Sequence, residues 1–215
     1  MVLPGNIPLF EGIASEDVLK LLTCLGSRAK PFRKGECVIA QGAATESIGI
    51  VVSGRAQVSR TDYDGNRVVM ADLAVGSVFA ESFVCAGLPK SPVTVTAIDD
   101  SSILFVPYAR LMTSCDRACS FHSRVVMNLV TLLARKNLFL NARLDIVAKR
   151  SIRAKVIAYL DAESRARGAR EFDIPFSRND LADYLAVDRS ALSRELSLMR
   201  DDGIIDFDKS RFRLR

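Results

Sequence analysis

The 215-residue chain is 49% hydrophobic and 26% charged, the make-up of an ordinary globular protein with a sizeable core. Thirty Lys and Arg against 25 Asp and Glu leave a formal net charge of +5, which permits a nucleic-acid partner without demanding one. The start, MVLPGNIPLF, lacks the basic segment and apolar run of a secretory signal, and no stretch approaches the roughly 18–20 apolar residues of a membrane span, so a cytoplasmic protein without a membrane partner is expected.

Residues 13–30 read as a helical lead-in, with Ser15 as cap and Val18, Leu19, Leu21, Leu22 and Leu25 as the apolar face. From Pro31 the periodicity changes. Short segments rich in Val and Ile follow: Cys37–Ala40, Ser47–Val52, Ala56–Arg60, Arg67–Leu73, Val93–Ala97 and Ser102–Pro107. Gly35, Gly42, Gly54, Gly65 and Gly76 punctuate them, and Asp64-Gly65 is a strong hairpin signal. Many short strands at regular spacing predict an antiparallel barrel or sandwich. Between Gly76 and Val93 the pattern breaks, and a short helix from Phe79 to about Ala86 followed by an irregular loop fits. Such an insertion is either a ligand-pocket wall or a plug for the barrel. No nucleophile motif, phosphate-cradling loop or histidine cluster suggests an enzyme.

Five cysteines, at 24, 37, 85, 115 and 119, are an odd, scattered set. Cys115 and Cys119 share a helix face, with His122 three residues on, but further ligands are missing. Reduced, packed thiols are expected, and no metal site.

Helical periodicity returns after Pro107, from about Cys115 to Leu144. Val126, Val130, Leu133, Asn137, Leu140 and Leu144 alternate by four and three, and Val147 continues the series. Arg124, Arg135, Lys136 and Arg143 flank this seam. A helix of about 28 residues is roughly 40 Å long, more than so small a domain needs for its own core. The seam predicts a parallel helix from a second subunit, with Asn137 setting the register. The competing use is packing against its own barrel.

Asp145–Arg150 marks a boundary. Ile152–Ala166 forms the next helix through Ile152, Val156, Ile157 and Leu160, ending before Gly168, and Phe172–Phe176 is strand-like. Ser177 then caps a helix carrying Leu181, Ala182 and Leu185 inward. Ala186-Val187-Asp188 is a turn, with Asp188 as the next cap. The second helix turns Leu192, Leu196 and Met199 inward and stops at Gly203. Its opposite face carries Arg189, Ser190, Ser193 and Arg194, the side chains a DNA-reading helix presents to a major groove. The tail alternates through Ile205, Phe207, Phe212 and Leu214 around Lys209-Ser210. It predicts a small hairpin, or wing, with Lys209, Arg211 and Arg213 placed to meet phosphates.

Several of these pieces resemble the Crp/Fnr family of bacterial transcription regulators. Lys34-Gly35-Glu36, Gln41-Gly42, Val52-Ser53-Gly54-Arg55, Asp64-Gly65, and Gly76 with Glu81 are similar to its β-roll; Val187 to Leu196 is similar to its recognition helix. The resemblance covers nearly the whole chain and implies an α+β architecture. An antiparallel, jelly-roll-like sensor domain of the cyclic-nucleotide-binding type spans 1–114. A long dimerisation helix and hinge span 115–147, and a winged helix-turn-helix spans 148–215. It further implies a homodimer on pseudo-palindromic promoter DNA, acting with RNA polymerase and switched by an effector. Arg189, Ser190, Ser193 and Arg194 fall on base-contacting positions, Arg194 on the arginine that reads a guanine. Ser177, Arg178, Lys209 and Arg211 are the other expected DNA contacts. Ser190 stands where many relatives carry a glutamate, so the half-site is expected to differ.

The effector site implied by the resemblance comprises Ala80, Glu81, Ser82, Lys90, Ser91 and Val93, with Leu140 and Asn141 from the long helix. The family's Gly-Glu pair is Ala80-Glu81 here, and its Arg-Ser pair is Ser91-Pro92. The arginine that neutralises a cyclic phosphate is missing, and Lys90 cannot reproduce its clamp. An effector other than cyclic AMP is expected, an uncharged or aromatic small molecule. With Cys24 alone near the N-terminus, the family's iron–sulfur mechanism is unsupported. The alternatives are a haem- or redox-dependent gas sensor using His122 or a cysteine, and a regulatory subunit acting through a protein partner.

Overall fold

The computed structural model describes residue 4 and residues 7–113 and 120–215, in two compact units, Met1–Arg135 and Lys136–Arg215. The pair Cys115 and Cys119 lies outside the described residues.

The first unit opens with a 3₁₀ turn, Pro8–Phe10, and helix α1, Ser15–Cys24. Ser15 does not cap α1: it is the first helical residue, and Ala14 occupies the cap position without a side-chain bond. Val18, Leu21, Leu22 and Leu25 are buried as expected, but Leu19 points outward. The lead-in is also shorter than expected, because Arg28–Phe32 forms strand β1. Its sequence, RAKPF, hides the strand: it lies at a sheet edge, where a proline without an N–H is tolerated and most side chains face water.

The remaining strands of this unit are β2 (Cys37–Ile39), β3 (Ser47–Ser53), β4 (Ala56–Thr61), β5 (Arg67–Leu73), β6 (Val78–Phe79), β7 (Thr94–Ala97) and β8 (Ser101–Pro107). They form two antiparallel four-stranded sheets, ordered β1-β8-β3-β6 and β2-β7-β4-β5. Ile39, Ile48, Ile50, Val95, Ile103 and Leu104 supply much of one continuous core. Each such side chain contributes about 1.5–3 kcal/mol on burial. Gly49 is required by packing, since a Cβ there would sit 2.2 Å from the Phe79 ring. Helix α2, Glu81–Cys85, occupies the expected interruption, and α3, Tyr108–Met112, follows β8.

Helix α4 runs Ser120–Val147. Within the first unit its Val125 and Leu129 are buried in the β-roll core, and Asn128 donates to the carbonyls of Leu9 and Glu11 at 3.1 and 2.9 Å. Within the second unit its Ile146 is buried among the helices that follow.

The second unit continues with α5 (Ile152–Arg167), β9 (Glu171–Asp173), α6 (Arg178–Leu185), α7 (Arg189–Asp201), β10 (Ile205–Asp208) and β11 (Arg211–Leu214). The three strands form a sheet ordered β10-β11-β9. Val156, Leu160, Leu181, Leu185, Leu192, Leu196, Met199 and Phe212 are at most 1% exposed and form its core. Ile157, expected inward, is partly exposed. Gly168 stops α5 in the left-handed region, as its position after the last periodic residue suggested.

Candidate nucleic-acid interface

Helices α6 and α7 are set by local signals. Ser177 accepts from Asp180 N (3.2 Å) while Asp180 accepts from Ser177 N (3.1 Å), a complete capping box. Asp188 caps α7 by accepting from Ala191 N at 2.9 Å. The three-residue turn between them starts with Ala186 in the left-handed region, and Lys155 Nζ on α5 donates to the Leu185 and Ala186 carbonyls there. Arg153, also on α5, bonds Glu195 (2.6 Å) and Asp202 (2.7 Å), tying the middle and end of α7 to one guanidinium.

With its apolar stripe sealed, α7 presents Arg189, Ser190, Ser193 and Arg194 to solvent. Neither arginine forms an ion pair among the described residues, so both guanidinia are available as fork donors. The serines are already oriented. Ser190 Oγ donates to Asp188 Oδ1 at 2.5 Å, and Ser193 Oγ donates to the Arg189 carbonyl at 3.0 Å. The Ser190 bond, then the Ala191 N–H, hold the Asp188 carboxyl below its ordinary range.

The other expected contacts are less free. Ser177 is committed to its cap. Arg178 lies over Phe207 and Phe212, at 5.1 and 5.6 Å from the ring centroids, and donates to the Lys209 carbonyl at 3.3 Å. Burial lowers its pKa. Arg178 therefore shapes the wing turn. Arg200, absent from the sequence expectations, covers Phe207 too, at 5.1 Å. Arg211 and Arg213 both pair with Glu171 on β9, at 2.8 and 2.5 Å, and Arg213 above all holds the Glu171 carboxyl below its usual range. Lys209 is exposed at the tip of the β10–β11 hairpin, in a left-handed conformation (φ 51°). A groove of about 650 Å³ lined by Ser177, Arg178 and Lys209 joins this tip to the start of α6.

On α4, Val130, Leu140 and Leu144 are 54%, 60% and 62% exposed, and Asn137 is exposed with them. Val126 is half-buried. Leu133 packs partly against the β-roll core, so that position serves its own unit. Met127, Leu138 and Phe139 widen the exposed apolar surface beyond the expected seam. Arg143 does not merely flank the seam: its guanidinium lies 5.0 Å from the Tyr184 ring, beside Tyr159 and Phe176.

The expected effector residues fall in two places. In the first unit, Ala80, Glu81 and Ser91 are buried (6%, 4% and 2% exposed), Val93 is half-buried, and Ser82 and Lys90 are exposed. Ala80, where the family has glycine, sits at φ 66°. Ser91 Oγ donates to the Val93 carbonyl (2.7 Å), and its backbone pairs with Gly42 and Ala43. In the second unit, Leu140 and Asn141 are exposed, and Asn141 donates to Asn137 at 2.7 Å. A separate cleft of about 890 Å³ is lined by β1, β2 and β8 residues, including Arg28, Lys30, Phe32 and Phe105, and by none of these eight.

His122 is buried, with Nε2 3.1 Å from the Arg110 carbonyl, so that nitrogen is occupied by a structural bond. Burial pushes the Cys85 thiol up, away from thiolate chemistry. No group of three or more potential ligands able to hold a metal occurs among the described residues, and none of their helices is long and apolar enough to cross a membrane.

A β-roll followed by a helix pair with a wing and a polar-faced second helix defines a DNA-binding transcription regulator. Comparison with known proteins agrees. A cyclic nucleotide-binding domain model matches residues 29–118 and a Crp-like helix-turn-helix domain model matches residues 154–215. The chain belongs to the Crp/Fnr family of transcription regulators. It is 26% identical over 198 residues to the cyclic AMP receptor protein of Thermus thermophilus, covering 92% of this chain and 88% of that one. It is 23% identical to the transcriptional activator protein FnrA of Stutzerimonas stutzeri, covering 100% and 84%. The crystal structure of the Thermus thermophilus catabolite activator protein superposes with a TM-score of 0.57 at 22% identity, covering 97% and 93%. These relatives are named as regulators, not enzymes.

Proposed function

We propose that the protein is a homodimer that reads pseudo-palindromic promoter DNA with its two α7 helices, works with RNA polymerase, and is switched by a small molecule other than cyclic AMP in the β-roll. Residues 1–114 would sense, 115–147 would dimerise and 148–215 would read. The observation that carries this reading is the outward face of α7, where Arg189 and Arg194 stand exposed, without ion pairs among the described residues, above fully buried Leu192, Leu196 and Met199. Arg194, bidentate to guanine O6 and N7, would be worth about 1–3 kcal/mol of discrimination. Dimerisation is supported by the exposed apolar side chains of α4, which a lone chain leaves in water at a cost of about 25 cal/mol per Å². The effector would shift a population of dimers between two spacings of the α7 helices.

The exclusion of cyclic AMP rests on charge. A buried cyclic phosphate needs a paired cation. Here Lys90 is exposed, the Ser91 hydroxyl is committed to Val93, and Pro92 has no N–H to offer. Arg194→Ala is expected to weaken binding to a palindromic promoter fragment by about 10- to 100-fold per half-site while sedimentation still shows a dimer; unchanged binding overturns the placement of the recognition helix. Calorimetry with cyclic AMP is expected to show no heat, and micromolar binding refutes the exclusion.

A further inference from the structure

We propose that Ser190 and Ser193 read DNA as acceptors only, selecting bases that carry an amino group in the major groove, cytosine or adenine, over guanine or thymine on the contacted strand. This rests on α7 being the reading helix and adds the chemical polarity of what it reads.

A serine hydroxyl has one proton and two lone pairs, and a free one can donate or accept. On α7 that freedom is used up. The Ser190 proton points to Asp188 Oδ1 at 2.5 Å, and a carboxylate can only accept, so the direction is fixed. Asp188 is kept ionised by the same bond and by the Ala191 N–H, so its acceptor character persists at neutral pH. Ser193 gives its proton to the Arg189 carbonyl at 3.0 Å, and Ser197 gives its own to the Ser193 carbonyl at 3.2 Å. A backbone carbonyl, too, can only accept.

Ser190 and Ser193, three apart, share one face of the helix. What they offer to a groove is lone pairs. Cytosine presents the N4 amino group and adenine the N6 amino group; guanine O6 and thymine O4 are acceptors and meet these oxygens with repulsion. Turning the Ser190 hydroxyl around to donate to a keto oxygen would leave Asp188 without that proton, close to the negative DNA backbone. Beside the serines, the side-chain donors are Arg189 and Arg194. The face thus divides the work: arginines take guanine O6 and N7, serines take amino groups.

The test is selection of bound duplexes from a randomised pool by the full-length protein. At the position whose preference changes on Ser190→Ala, the wild type is expected to enrich cytosine and adenine over guanine and thymine about five- to tenfold on one strand, as a single hydrogen bond allows. Ser190→Ala levels that preference. Ser190→Glu, an obligate acceptor, keeps it, and Ser190→Arg, an obligate donor, reverses it towards guanine. A wild type that enriches guanine or thymine there overturns the inference, as does a Ser190→Ala pool identical to the wild-type pool. Retention of the Arg194-dependent guanine in every pool shows that the variants fold and dock. A wild-type pool without any sequence preference overturns the underlying assignment of α7, a failure distinct from the loss of amino selectivity alone.

Discussion

The two units of this chain deploy their polar side chains in opposite ways. In the β-roll two of the polar groups expected to meet an effector, Glu81 and Ser91, are buried, and the Ser91 hydroxyl is held by the Val93 carbonyl. In the winged helix the four α7 side chains expected to meet DNA, Arg189, Ser190, Ser193 and Arg194, are exposed, and the two serines that bond protein leave lone pairs outward. Arg189 and Arg194 form no ion pair among the described residues. The difference fits the ligands proposed for the two units: a duplex approaches from outside and meets a rigid, solvated face, whereas a small molecule is enclosed.

The sharpest way to break this comparison is to remove the second subunit. Val130→Glu with Leu144→Glu alters only exposed α4 positions, and the variant is expected to sediment as a folded monomer. Its operator affinity should fall about 10²–10⁴-fold through lost bivalency. A variant that stays dimeric defeats the seam. Arg194→Ala comes next, with a loss of about 10- to 100-fold per half-site measured by anisotropy titration, concentrated at one base position. Lys209→Ala should weaken binding to all sequences by a similar small factor and reduce the salt slope by about one per subunit. A sequence-dependent loss there would make the wing a base reader.

The smallest effect is expected in the β-roll. Ala80 adopts φ 66°, which costs a residue with a Cβ about 1 kcal/mol relative to glycine. Ala80→Gly should raise stability by about that much in denaturant titration without changing operator affinity of the effector-free protein. A change in effector response without a change in stability would mean that the strain belongs to the switch.

Much of the reader was legible in the sequence because its signals are local. Leu192, Leu196 and Met199 recur at helical spacing, and Ser177 and Asp188 cap the helices they precede. What escaped was long-range or directional. Arg211 and Arg213 were expected to meet phosphates, and their pairing with Glu171, some 40 residues away on β9, was not visible in the sequence. Arg178 is drawn onto Phe207 and Phe212 by the folded wing, and Arg153 meets Glu195 and Asp202 only once α5 and α7 have packed. Ser190 and Asp188 are near neighbours, yet only their geometry says which way the proton points. In the β-roll, β1 was hidden by its edge position, since RAKPF carries two cations and a proline where an interior strand would carry β-branched residues.

Hydroxyl-radical footprinting of the full-length protein on a selected duplex tests the central claim most directly. Two symmetric half-sites whose centres lie about 34 Å apart, or a whole multiple of that, with both lost in Arg194→Ala, are the predicted result. A single unpaired footprint, or symmetric protection that survives Arg194→Ala, would contradict the account of a dimer reading DNA through α7.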